Sequence, residues 1–281
     1  MDNIKSINLI GAGRVGRVLG RAWHSSGCYR VQDVLTHSLA SAEQAVAFMT
    51  TGRAVTEMAE MRPADVWMLA VPDSQIAPTA AALAQALAAS PECGRPQTAT
   101  LAFHCSGALA SAELEPLHAL GWQLASAHCL LSFADPNTAL QQLTGTPCAL
   151  EGDPTAVIAL ESAFESIGVR CFGLAAEHKL LYHAGAVFAT NFLPVLQDLA
   201  QQLWRASGMP ADVAAQLNNT LLHNAVDNLL LLGPAGALTG PAARGDTALV
   251  QRQGEAVAQW NATAGEAYRA LSQLASKLAA R

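Results

Sequence analysis

A segment that reads as a short buried strand, Ile4 to Ile10, runs without a break into Gly11, Gly13 and Gly16, and a helix-forming stretch continues to about Ser26. A strand that turns into a helix through glycines at this spacing leaves few folds open. The first glycine permits the tight turn, the second lets another group approach the backbone closely, and the third lets helix and strand pack at short range. The opening turn of such a helix also presents unpaired N–H groups and the positive end of the helix dipole, a seat for an anion such as a diphosphate bridge.

Strands and helices then keep alternating down the chain. Strands are expected at Tyr29 to Thr36, Asp65 to Val71, Thr98 to Phe103, Trp122 to His128, Pro147 to Leu150 and Val169 to Phe172. Between them helices are expected at Ala40 to Met49 (capped by Ser38 or Ser41), Gln75 to Ala89, Ser111 to Leu120 and Pro154 to Ile167. The run DVWMLAV is apolar after its first residue, the pattern of a strand covered on both faces. Such alternation marks an α/β chain with a doubly wound, mostly parallel sheet. Beyond Gly173 the strand pattern stops. Glu177 to about Ser207 reads as one long helix with Pro194 placed to kink it, Pro210 to Leu232 as a second, and Thr247 to Leu278 as one or two more. Gly233 to Asp246 reads as a loop. The expected domains are therefore 1–173, a dinucleotide-binding α/β domain, and 174–281, all helical.

Composition narrows the class. With 51% hydrophobic and 14% charged residues the chain has ample material for a core, which excludes intrinsic disorder. A net charge of -6 argues against nucleic acid or an anionic membrane as the main partner. The six cysteines form no C-x-x-C pair and read as free thiols of a reducing compartment. No signal-peptide pattern opens the sequence, and no apolar run reaches the roughly 18 residues of a membrane span. A cytoplasmic protein is expected.

Candidate binding residues come from the topology. Gly11, Ala12, Gly13, Arg14, Val15 and Gly16 form the phosphate turn. The second strand ends in Thr36, His37 and Ser38, without the carboxylate that would hold the ribose hydroxyls of NAD. An end of this kind tolerates a 2′-phosphate, so NADP is the expected cofactor, with NAD possible. Asp33 lies inside the strand and is expected in a hydrogen-bonding edge role. Ligands of doubly wound sheets sit beyond the carboxyl ends of the strands, which brings in Val71, Pro72 and Asp73, then His104, Ser106 and Gly107, then His128.

Histidine exchanges protons near neutral pH, so His104 and His128 are candidate proton donors, against the alternative of hydrogen-bonded strand-end residues. Only three lysines exist, and Lys179 shares a helix face with His183, with Thr190 and Asn191 further along. A polar stripe on an apolar helix is exposed or lines a wet pocket. If it faces the nicotinamide, Lys179 or His183 donates a proton; the plainer alternative is a capping-turn lysine in solvent. In the loop after Gly233, Thr239, Arg244 and Asp246 are candidate substrate residues, Arg244 for an anionic group. Asp246 either orients Arg244 or caps the next helix. The pairs His104-Cys105 and His128-Cys129 invite a zinc reading, but neighbours on a strand point to opposite faces, so no metal is expected.

Six segments carry a resemblance: GAGRVG from Gly11, AVPD from Ala70, HCSGA from His104, AHCLLSF from Ala127, EHKLLYHAGAVFATNF from Glu177 and ALTGPAARGD from Ala237. Over nearly its whole length the chain resembles the Rossmann-like proteins with a helical C-terminal domain of unassigned function. These are relatives of pyrroline-5-carboxylate reductase, prephenate dehydrogenase and the 6-phosphogluconate dehydrogenase superfamily, often labelled NADP oxidoreductases. The resemblance implies a helical domain like the C-terminal domain of 6-phosphogluconate dehydrogenase, serving substrate binding and an interlocked homodimer. It also implies an active site between domains, completed by the partner chain. Two positions differ from the pattern: Cys129 stands where a proline is expected after the histidine, and His37 where members often carry arginine. The expected activity is hydride transfer between a nicotinamide and a small, anionic carbonyl or imine compound. The alternatives are a non-catalytic NAD(P) sensor and an interaction protein that keeps only the fold.

Overall fold

Strands covered on both faces form the centre of the N-terminal α/β unit. The computed structural model describes residues 4–89 and 100–281, and the chain divides into two units, Met1–Val187 and Phe188–Arg281. The first unit runs β1 (Lys5–Ile10), α1 (Arg14–Ser26), β2 (Tyr29–Leu35), α2 (Leu39–Met49), β3 (Arg53–Val55), β4 (Val66–Leu69) and α3 (Asp73–Ala89). It continues with β5 (Leu101–His104), α4 (Glu115–His118), β6 (Gln123–Cys129), α5 (Pro136–Gln142), β7 (Pro147–Gly152), α6 (Pro154–Glu165), β8 (Arg170–Gly173) and α7 (Lys179–Ala186).

The eight strands form one sheet in the order β3-β2-β1-β4-β5-β6-β7-β8. Strand order reverses between β1 and β4, the point at which doubly wound sheets bind their ligands beyond the carboxyl ends of the strands. All pairings are parallel except β6 with β7, so the doubly wound, mostly parallel sheet expected from the sequence is present. One face packs Trp23 of α1 edge-on against Tyr29, Phe103 and Phe164, and Trp23 Nε1 donates to the Ala163 carbonyl at 2.9 Å. The other face buries Trp67, Ile76, Leu83 and Leu117.

Several local expectations need correction. The edge strand β3 has only three residues and an exposed Arg53, too short for a period-two signal. The helix expected over Ser111 to Leu120 is a 3-10 turn at Ser111–Leu114 followed by the four-residue α4, where Pro116 removes an amide. Helix α5 adds to the expected elements; Asp135 caps it and Pro136 opens it. Thr98, the first residue of the fourth expected strand, and Cys93 lie outside the described residues.

The long helix expected from Glu177 is also broken. A π-turn at Val187–Asn191 separates α7 from α8 (Phe192–Ala206). Pro194 sits in the first turn of α8, so its ring would meet the carbonyl of residue 190 in a regular helix, and the widened turn relieves that clash. The second unit continues with α9 (Ala211–Ala237), interrupted at Gly233 (φ 70°) before Pro234, then α10 (Thr247–Trp260) and α11 (Ala262–Ala279). α10 and α11 cross closely at Gly265, where a Cβ would lie 2.5 Å from Ala258 Cβ. Among the described residues no helix is long and apolar enough to cross a membrane.

Candidate active site

Each glycine of the first turn has its own reason. Gly11 adopts φ +82°, and a Cβ there would lie 2.5 Å from the Ala70 carbonyl oxygen, so β1 and β4 touch through it. A Cβ on Gly16 would lie 2.8 Å from the Gly11 carbonyl oxygen, which fixes the helix against the turn. At Gly13 a Cβ would meet nothing within 4 Å. Gly13 is also the N-cap of α1 and offers no side chain to the first-turn amides. These amides need an acceptor from outside the helix, and the space above them is open. The turn therefore fits a diphosphate on the chain's own geometry.

Around it, Ala12 is buried, Val15 half-buried and Arg14 exposed. Arg17 Nε points back to the carbonyls of Ala12 and Gly13, each at 3.2 Å. At the end of β2, Thr36 Oγ1 donates to the Ser38 carbonyl at 2.8 Å, Ser38 caps α2 by accepting from Ser41 N, and His37 is exposed. Asp33 is turned away from this end. Its fully buried carboxylate accepts from Arg53 Nε (2.8 Å), Arg62 Nη2 (2.7 Å) and Arg62 N (2.7 Å). Burial alone would raise this carboxyl, but the hydrogen bonds from Arg62 and Arg53 outweigh it and hold it below the usual range.

Beyond the carboxyl ends of β4, β5 and β6 lies a polar cluster within the first unit. Ser106 Oγ donates to Asp73 Oδ2 at 2.9 Å and accepts from the amides of Ala108 and Leu109, which shapes the turn around Gly107. His104 is fully buried; Nδ1 accepts from Ser106 N at 3.2 Å, and Nε2 donates to the Ala110 carbonyl at 2.9 Å. Both ring nitrogens are thus committed to the loop, and burial holds the imidazole below its ordinary value and neutral. The expectation of His104 as a proton donor is corrected on that ground: it shapes the loop.

His128 differs. Its Nδ1 lies 2.9 Å from Tyr182 Oη, while its Cε1–Nε2 edge and His183 Cδ2 crowd Gly107, where a Cβ would come within 2.8 Å and 2.5 Å of them. Burial, with the neighbouring His183 and Lys179 charges, pushes His128 down to about 4, so the ring is neutral at pH 7 and offers one N–H and one lone pair. Lys179 is 1% exposed, which removes the solvent-lysine alternative; Nζ donates to the Ser106 carbonyl at 3.2 Å and to Ser126 Oγ at 2.9 Å. Burial pushes its ammonium down, opposed by Glu151, Cys148 and Asp73.

The structure thus gathers Asp73, His104, Ser106, Gly107, His128, Lys179 and His183 from the sequence-derived candidates, with Val71 and Pro72 at the end of β4 beside the Gly11 turn. Asn191, Thr239, Arg244 and Asp246 belong to the second unit. There Asn191 Oδ1 accepts from Thr190 Oγ1, Thr239 and Arg244 are exposed, and Asp246 caps α10 by accepting from Leu249 N at 3.1 Å. Three residues escape a reading of the sequence. Ser126 lies two before His128 on the same strand face, and Tyr182 sits within the EHKLLYH segment, so both are findable by periodicity. Glu151 is a lone carboxylate at the end of an apolar strand, with nothing local to flag it.

Residues 2–128 match a Rossmann-like domain model, and residues 146–275 match the model of a domain of unknown function, DUF2520. No curated protein matches the chain. Among solved structures, protein TM1727 from Thermotoga maritima is 24% identical with a TM-score of 0.72, covering 97% of this chain and 98% of its own. A Bacteroides fragilis protein, BF3122, described as an NADP oxidoreductase, is 21% identical with a TM-score of 0.73 over the same shares. Plasmodium falciparum pyrroline carboxylate reductase, solved with NADP bound, is 13% identical with a TM-score of 0.57, covering 99% of both chains. At these identities the likeness establishes the fold, end to end.

Proposed function

We propose that this chain, a Rossmann-like domain joined to a DUF2520 domain, is a cytoplasmic NAD(P)-dependent oxidoreductase acting on a small, anionic carbonyl or imine compound. One observation carries the reading. The glycine turn that leaves open space at Gly13 and the polar cluster around Gly107 lie at the carboxyl ends of strands β1, β4, β5 and β6 of one sheet. NADP is the preferred nucleotide, with NAD possible, because the end of β2 carries Thr36, His37 and Ser38 while Asp33 is consumed by Arg53 and Arg62. The relatives whose names carry NADP point the same way.

In this reading the amides at Arg14, Val15 and Gly16 hold the diphosphate, and Val71, Pro72, Asp73, Ser106 and Gly107 border the nicotinamide. The bound nucleotide supplies or takes the hydride. His128 and His183 flank Gly107 and move the proton; a neutral His128 donates through Nε2–H when the Tyr182 hydroxyl donates to Nδ1. Lys179 holds the Ser106 carbonyl and lends the site a buried positive charge that favours a developing oxyanion. Arg244 and Thr239, with Asn191 and Asp246, are assigned to the substrate, and a homodimer through the helical unit is part of the proposal.

A second reading, a non-catalytic NAD(P) sensor, is favoured by the two hydrogen bonds that tie Lys179 to protein groups. Calorimetric titration with NADPH, NADH and the oxidised forms tests the first step, and tighter binding of NADPH is expected. No binding of any form overturns the proposal. Binding that survives in Lys179→Ala and His183→Ala, with no carbonyl or imine compound ever reduced, transfers it to the sensor.

A further inference from the structure

Ser126 stands between two opposite charges. It accepts from Lys179 Nζ at 2.9 Å and donates to Glu151 Oε2 at 2.9 Å. A hydroxyl can do both at once, so the hydrogen bonds run in one direction, from ammonium through hydroxyl to carboxylate. The register makes the bridge rigid: Ser126 and Glu151 are direct partners across the antiparallel β6/β7 pair, so their side chains leave the sheet on one face. Glu151 is itself pinned, accepting from Ser111 N at 2.8 Å and Ser111 Oγ at 2.7 Å. The other partner of Lys179 is the Ser106 carbonyl, one residue before the glycine that His128 and His183 crowd.

From this chain of contacts we infer that Glu151 is a positioning residue of the site. Through Ser126 it holds Lys179 charged and in place, and through Lys179 it fixes the Ser106–Gly107 turn. The inference rests on reading the cluster as the reacting end of the nucleotide site. It gives the antiparallel strand β7, outside the stretch matched as Rossmann-like, a part in that site. A purely local task for Glu151, latching the Ser111 loop, uses only the two Ser111 bonds and leaves Lys179 untouched.

The charged and titratable groups facing Lys179 are Glu151, Asp73 and Cys148, with His104 and His128 beside it. Removing the Glu151 charge takes away the attraction that offsets burial, so the Lys179 midpoint must fall. The sequence has three lysines, Lys5, Lys179 and Lys277, so a carbon-detected NMR titration of lysine-labelled, nucleotide-free full chain resolves each side chain. The Lys179 signal is identified by its loss in Lys179→Arg. In Glu151→Gln the Lys179 midpoint is expected to fall by about one pH unit or more. Ser126→Ala, which keeps Glu151 and its Ser111 bonds, is expected to lower it too, and it decides the matter if Glu151→Gln does not fold. Ser111→Ala is expected to leave it in place. An unmoved midpoint in Ser126→Ala, or an equal shift in Ser111→Ala, overturns the inference. Because no nucleotide is present, failure here is separate from failure to bind NADPH, which would remove the proposed activity and leave this result standing.

Discussion

At the scale of single residues, two glycines of the first turn behave oppositely. Gly13→Ala adds a methyl group where nothing lies within 4 Å, and its backbone has an ordinary negative φ (-65°), so the fold tolerates it. The methyl group does occupy the space a diphosphate would need, so NADPH affinity is expected to fall at least about tenfold, roughly 1.4 kcal/mol, with an unchanged unfolding temperature. Gly11→Ala must place its methyl group 2.5 Å from the Ala70 oxygen at a φ of +82°, and it is expected to destabilise the protein by about 2 kcal/mol or more. Calorimetry and urea unfolding on both variants separate the two; equal stability losses would refute the distinction. His128 supplies a pH dependence. In the native state it protonates only at about 4, whereas the unfolded chain protonates near 6.5. Between these values the unfolded state binds more protons, so stability falls as pH drops through this window, by about 3 kcal/mol in total. Urea midpoints from pH 7 to 4 are expected to fall less steeply in His128→Gln, and parallel curves would contradict the assignment.

At the scale of elements, burial pattern decides what is legible in the sequence. β4 is legible because both faces are covered, which writes an unbroken apolar run, and β1 because it leads straight into the glycine turn, whereas β2 carries Arg30, Gln32 and Asp33 among its apolar residues. β3 is not, since a three-residue edge strand with an exposed first residue writes no pattern. The break between α7 and α8 is hidden because the π-turn keeps nearly helical spacing; Pro194 is its one clue. Site residues on strands are legible by topology, whereas Glu151 enters from an antiparallel neighbour whose pairing no local signal encodes. Asp33 shows how an element is secured. It joins β2 to the edge strand through Arg53 and to the segment before β4 through Arg62. Its carboxyl is held low, so its contribution is present above the ordinary carboxylate range and is lost as pH falls through the lower native value. Asp33→Asn is expected to cost about 2 kcal/mol at pH 7, less than a fully buried pair because the two arginine side chains are 50% and 51% exposed. The gap between variant and parent should close towards pH 3; a constant gap in urea unfolding would mean that packing, not charge, holds the strand edge.

At the scale of the molecule, the helical unit carries exposed apolar side chains along α9. In α9, Leu230 and Leu231 are 81% and 80% exposed, and Leu221, Val226, Leu229 and Leu232 are exposed beside them. Isolated apolar side chains on a surface are ordinary, but a run of this kind along one helix is what interfaces cover. The proposed homodimer gives it an occupant of matching chemistry, a second copy of the same helix. Association through such an interface would stabilise the folded chain by mass action, so the unfolding temperature should rise with protein concentration. Sedimentation equilibrium at micromolar concentration is expected to return twice the chain mass of 29.3 kDa. Leu230→Asp with Leu231→Asp places two charges where apolar contact is needed and is expected to return the single-chain mass. The double variant should still bind NADPH through the first unit, because the contacts of the glycine turn, among them the Leu35 carbonyl, Ala70 and Val71, belong to that unit. A parent protein that sediments as one chain would refute the dimer. A double variant that loses NADPH affinity along with its partner would mean instead that the second chain contributes to the nucleotide site, and the independence of nucleotide binding from the helical unit would fail.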